Sequence, residues 1–205
     1  MQFDEKLGKK IGFLLLFALA AFLADQIKVA SLVGAANQFF TLFQLVGPIA
    51  GAFLGPIIGI AAVLIAQVAN FFLLGKQADL ITILRFTPML FAAYYFASSK
   101  RVDWILAVPI AAMAAFMLHP IGGQVWYFSL YWLIPIAARV IAPDNLLAKS
   151  LGATFTAHAV GGVLWIYATN MGAEAWIALI PVVAIERTAF AIGIAATYIA
   201  FNTIL

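Results

Sequence analysis

The charges of this chain divide it. Of its 11 basic and 8 acidic residues, all but Glu186 and Arg187 lie at the chain start or in or near breaks between long apolar runs. The runs are roughly 11–33, 40–74, 80–98, 104–118, 124–141, 150–170 and 175–203. A transmembrane helix needs about 20 apolar residues, and several runs supply them. Composition leaves lipid as the solvent: 66% of the chain is hydrophobic and 9% charged, with a mean hydropathy of +1.09. Soluble domains are about half apolar and a quarter charged. Disorder, a disulfide scaffold and nucleic-acid binding are excluded with it. With no cysteine, the chain has no thiolate metal site and no thiol nucleophile.

The run 40–74 is too long for one straight span. As a helix it would reach about 52 Å, against a hydrocarbon core of about 30 Å. It contains Gly47-Pro48 and Gly55-Pro56, and proline breaks or kinks a helix. We divide it near Gly55. With the N-terminus inside and two crossings in 40–74, Lys6, Lys9, Lys10, Lys100, Arg101, Arg139 and Lys149 fall on the cytoplasmic side. Lys28, Lys76 and Arg85 fall opposite, a bias that follows the positive-inside rule. The expectation is an all-α polytopic membrane protein with about six to eight membrane-embedded helices and both termini cytoplasmic. Residues 1–205 form a single integral membrane domain of the cell membrane. Lys6, Lys9 and Lys10 precede the apolar stretch 11–24, but Asp25 follows without a small-x-small cleavage site. We read that stretch as a retained first helix.

Gly47, Gly51, Gly55 and Gly59 are spaced four apart. On one helix they make a smooth stripe that another helix can approach closely, either within the chain or on a partner. The stretch Thr41-Leu42-Phe43-Gln44-Leu45, Gly47-Pro48, Gly51-Ala52-Phe53-Leu54-Gly55-Pro56 and Gly59 resembles the early part of substrate-binding S components of energy-coupling factor vitamin transporters, the biotin branch above all. The resemblance implies capture of a vitamin or similar micronutrient from outside. It also implies a T component and two ATPase subunits in other chains. Ala20 and Ala24 have the Ala-x-x-x-Ala spacing that this family uses to dock the T component, and the glycine ladder is the second docking candidate.

Charges at mid-membrane cost about 2.5–3.5 kcal/mol, so Glu186 and Arg187 face a partner or a cavity. Adjacent on a helix, they project roughly 100° apart, and each is expected to find its own partner. The readings are a structural lock, a substrate contact or a proton-coupling carboxylate. Thr154, His158, Gly161 and Trp165 share one helix face, which makes either a pocket wall or ordinary packing. Trp126, Trp165 and Trp176 fall near the outer ends of their runs, with Tyr127 and Tyr167, and they adjoin His119 and Gln124. Tyr131 continues the face of Tyr127. An interfacial belt explains part of this. An apolar pocket with a few polar groups is the usual small-molecule site. The candidate substrate-binding residues are thus His119, Gln124, Trp126, Tyr127, Tyr131, His158, Trp165, Glu186 and Arg187, with the loop 119–124 as a lid.

There is no Gly-x-Ser-x-Gly elbow, no His-Glu-x-x-His and no phosphate loop. No metal, cofactor or enzymatic step is expected. The leading expectation is membrane uptake of a small molecule by a substrate-capture subunit. The alternative is an intramembrane enzyme, or an ion-conducting or secondary transport protein, centred on Glu186, Arg187 and His158.

Overall fold

The computed structural model describes residues 2–98 and 103–205, with side chains from residue 8 onward. Lys100 and Arg101, and the side chain of Lys6, all used for the expected orientation, lie outside the described residues. Helix α1 (Gln2–Gln26) buries Phe13, Phe17, Ala21 and Ala24. These are spaced four, four and three apart, which keeps them on one helical face. Leu15, Leu19 and Leu23 on the opposite face are exposed and equally apolar. That is the pattern of a helix whose outer face meets lipid.

The expected first run, 11–33, is not all helix. It ends at Gln26, and a short antiparallel hairpin follows: β1 (Lys28–Ser31) pairs with β2 (Phe39–Thr41). The turn between them needs Gly34 at φ +92 and Asn37 at φ 58, and glycine and asparagine reach such angles at the lowest cost.

Two short helices, α2 (Phe43–Val46) and α3 (Ile49–Leu54), lead to α4 (Pro56–Leu73). The break falls at Gly55, whose φ of +82 only glycine adopts freely. Pro56 then sits in the first turn of α4, where its missing N–H costs nothing. The divided reading of 40–74 therefore matches the helix boundaries. The rest is α5 (Leu80–Leu84), α6 (Phe86–Ala97) and α7 (Ala107–Leu118), then α8 (Pro120–Gln124) and α9 (Ile134–Ile141). Two 3-10 turns, Trp104–Leu106 and Trp126–Leu133, precede α7 and α9. The chain closes with α10 (Leu146–Ala168) and α11 (Ala173–Ile204). The α11 helix continues through Pro181, so Glu186 and Arg187 lie well inside it. Among the described residues, four helices are long and apolar enough to cross a membrane: α4, the continuous pair α5–α6, α10 and α11.

The glycine ladder is not one stripe on one helix. Because the chain reverses at Gly55, α3 and α4 pack against each other. A Cβ on Gly59 would come within 2.6 Å of the Gly51 Cα, and one on Gly51 would collide with the Ala93 carbonyl of α6. A Cβ on Gly47 would press on Met89 at 2.6 Å, whereas one on Gly55 would meet nothing within 4 Å. Gly47, Gly51 and Gly59 are buried inside the chain, as is Ala24, and Ala20 packs against the same core. Gly47, Gly51, Gly59, Ala20 and Ala24 are thus internal contacts, because helices that reverse at a glycine use its neighbours to approach each other, while Gly55 itself serves the reversal.

Candidate functional site

A cavity of about 790 Å³ opens at the end of the molecule where α1, α4 and α10 finish. Its walls come from the ends of α1 and α4, the hairpin, α5–α6, α10 and α11.

The α11 wall carries the buried charges. Arg187 is 1% exposed, and its Nη2 donates to Glu186 Oε2 at 2.6 Å. The expectation that these neighbours could not pair is corrected here. Both side chains are long, and they bend toward each other across the roughly 100° between their positions. The Glu186 side chain keeps 15% of its surface open and stands on the cavity wall. The Arg187 guanidinium lies over the rings of Phe40 and Phe190, at 4.5 and 4.9 Å from their centroids. Its Nε has no hydrogen-bond partner. Cation–π contacts attract a guanidinium to an aromatic face but do not satisfy its N–H groups.

The α10 wall is the face read from spacing. His158, Gly161 and Trp165 all line the cavity, while Thr154 is buried behind it. The buried Trp132 donates its indole N–H to His158 Nδ1 at 3.0 Å. An indole nitrogen can only donate, so the ring proton of His158 sits on Nε2. That group makes no hydrogen bond within the described residues. Gly162 lets Trp132 approach, since a Cβ there would come within 2.7 Å of its ring.

The hairpin covers the cavity and is tied down at three points. Arg85 donates to the Gln38 side chain and to the Phe39 carbonyl. The Trp165 indole donates to the Val33 carbonyl at 2.8 Å. The Thr41 hydroxyl donates to Asp25 Oδ1 at 3.1 Å, and Asp25 also pairs with Lys76. At the mouth, Asp79 caps α5 by accepting from the Thr82 N–H at 2.7 Å. That bond holds its carboxyl below the usual carboxylate range.

Five expected site residues lie off the cavity wall. Trp126 and Tyr127 are exposed, Trp126 by 51%, as belt aromatics are. The Tyr131 hydroxyl donates to the Ile180 carbonyl at 2.9 Å and its ring stacks on Phe155. His119 caps α8 through its Nδ1 and meets the Tyr167 ring edge-on. Gln124 is exposed and bonds back to the Pro120 carbonyl at 3.2 Å. The expected lid is corrected as well: 119–124 folds into α8, with Gly122 against the Phe116 carbonyl. Sequence reasoning missed Gln38, Phe40 and Arg85 as wall residues. A basic residue inside the apolar run 80–98 was the available signal for Arg85.

No protein-family model, curated protein or solved structure matches this chain.

Proposed function

We propose that this protein captures a small molecule at the membrane, as the substrate-binding subunit of a multi-chain uptake transporter of the energy-coupling factor type. The observation that carries the reading is the cavity. It has a polar mouth and an apolar, aromatic inner wall, is roofed by a tethered hairpin, and holds the Glu186–Arg187 pair, with Arg187 buried, and a fixed histidine. Largely pre-formed concave sites with a few placed polar groups are what small-molecule binding requires. Arg139 and Lys149 cluster by Tyr95 and Phe96, near the end of α6 away from the cavity. Under the positive-inside rule this charge distribution turns the cavity outward, so the cavity would load from outside the cell membrane. The resemblance over residues 41–59 supplies the transporter type, and with it a T component and two ATPases as separate chains. Gly47, Gly51 and Gly59 of the ladder are internal, so docking of those partners would fall to other faces.

The test is native mass spectrometry of the protein purified in mild detergent, followed by thermal unfolding with and without the released compound. A ligand that binds only the folded state raises the unfolding temperature in proportion to its excess over Kd. A carried-over small molecule that restores the higher temperature supports capture. A protein that carries nothing, and is stabilised by no compound in a broad micronutrient set, overturns it.

A further inference from the structure

The cavity wall carries hydrogen-bond donors without partners at its buried side. Arg187 gives Nη2 to Glu186, while its buried Nε has no partner among the described residues. The indole N–H of Trp176, a residue 2% exposed on the same wall, is buried and unpartnered. His158 presents Nε2–H, because Nδ1 is occupied by Trp132. Buried donors are almost always satisfied in native proteins, and each one left unmade costs about 1–3 kcal/mol. Three side chains with unmet donors on one cavity wall mark the place of a group that only accepts.

The charges point the same way. The wall holds four cations (Lys28, Lys76, Arg85, Arg187) and three anions (Asp25, Asp79, Glu186), a net charge of +1. Lys76–Asp25 and Arg187–Glu186 are closed pairs. Asp79 is spent on the cap of α5 at the mouth. Arg85 is held only by the neutral oxygens of Gln38 and Phe39. Around these groups the wall is apolar, with Met89, Phe128, Trp165 and Leu179.

We propose that the ligand of this cavity is an organic monoanion, a single carboxylate carried on a compact apolar body. The inference rests on the capture reading given above. The carboxylate accepts from Arg187 and from the N–H groups of Trp176 and His158, and the apolar body packs on the aromatic wall. Arg187 then holds two carboxylates, one from Glu186 and one from the ligand.

The experiment measures thermal stabilisation of the full-length protein in detergent by three matched probes: phenylbutyrate, phenylbutanamide and phenylbutylamine. The charge of any compound extracted from the purified protein is determined in parallel by mass spectrometry. The expected result is stabilisation by the carboxylate alone, or an extracted compound that is a monoanion. Arg187→Gln should weaken binding about tenfold or more, the loss of one charged hydrogen bond. Arg187→Lys should retain the preference for the carboxylate, and Trp176→Phe should weaken binding several-fold while keeping the ring packing. These two variants carry the test if Arg187→Gln does not fold. Equal or greater stabilisation by the amide or the amine overturns the inference and leaves capture standing. So does an extracted compound that is neutral or cationic. A protein that carries nothing, and is stabilised neither by the probes nor by any compound of the micronutrient set, overturns the capture reading and this inference with it; stabilisation only by a neutral or cationic member of that set overturns this inference alone.

Discussion

Two buried arginines at opposite ends of the molecule are treated differently by their surroundings. Arg139 is 2% exposed and donates to the carbonyls of Ser98 and Tyr95 (2.7 Å for the latter), with its guanidinium over the Tyr95 ring. Those carbonyls close the C-terminus of α6, where a cation also meets the negative end of the helix dipole. Arg187 is buried as deeply but donates to a single carboxylate and borders a cavity. Around Arg139 the helices close on one another. The Tyr95 hydroxyl donates to the Pro135 carbonyl at 2.7 Å, and Gly152 leaves the space that the Tyr95 ring fills. Each arginine keeps an Nε without a partner. What separates them is the rest of the guanidinium and the space beside it: Arg139 gives both Nη groups to backbone in closed packing, whereas Arg187 gives one to a carboxylate on the wall of an open cavity.

The largest expected effect falls where the helices are closest. Gly51→Leu places a side chain against the Ala93 carbonyl, backbone that cannot yield, and against the Ala97 Cβ. Overpacking costs about 1–3 kcal/mol, and we expect the upper end of that range or beyond. Most of the protein should aggregate on detergent extraction, as fluorescence-detected size exclusion will show. A monodisperse variant with wild-type unfolding temperature would mean that the ladder faces outward after all.

Next in size is Arg139→Met, which strips the end of α6 of its two charged hydrogen bonds. Hydrogen bonds to charged groups contribute about 1.5–3 kcal/mol. The unfolding temperature should drop by the same amount with and without ligand, since Arg139 is not on the cavity wall. A drop seen only with ligand present would erase the distinction between the two arginines.

The helical elements were legible because charges and Gly-Pro pairs punctuate an otherwise apolar chain. Gly55-Pro56 marked the division of 40–74, and the structure breaks at that residue. The hairpin was not legible. Val29, Val33 and Phe40 read as membrane run, and the same β-branched and aromatic residues also suit strands. Periodicity alone does not separate the two. The α10 wall of the cavity was legible, since helical spacing places His158, Gly161 and Trp165 on one face whatever the tertiary fold. Arg85 with Gln38, and Arg187 with Phe40, come together only when the hairpin lies over the helices. No local pattern encodes contacts so far apart in the chain. The aromatic cluster of Trp126, Tyr127 and Tyr131 misled for the converse reason. Belt aromatics and pocket aromatics share residue types and depth, and only packing tells them apart.

The smallest expected effect tests whether the cavity mouth can loosen while the closed end stays firm. Asp79 caps α5, from whose C-terminal end Arg85 reaches the hairpin. Its folded pKa lies below the usual carboxylate value, the first cause being the hydrogen bond from the Thr82 N–H. The cap's contribution is therefore present above the unfolded carboxylate pKa and is lost as pH falls through the lower folded value. Near neutral pH the carboxylate is ionised and the cap intact, so mild acidification should leave the mouth unchanged. Asp79→Ala removes the cap at every pH, at a cost of about 1 kcal/mol or less for so exposed a site. Hydrogen exchange at Thr82 and Ile83 should quicken several-fold in that variant, while the α6–α10 contact keeps its wild-type protection. Unchanged exchange at Thr82 would mean that the hairpin tethers, not the cap, hold α5 in place. Quickened exchange in α6 and α10 would mean that the two ends of the molecule open as one unit, and the contrast between Arg139 and Arg187 would then be one of chemistry alone.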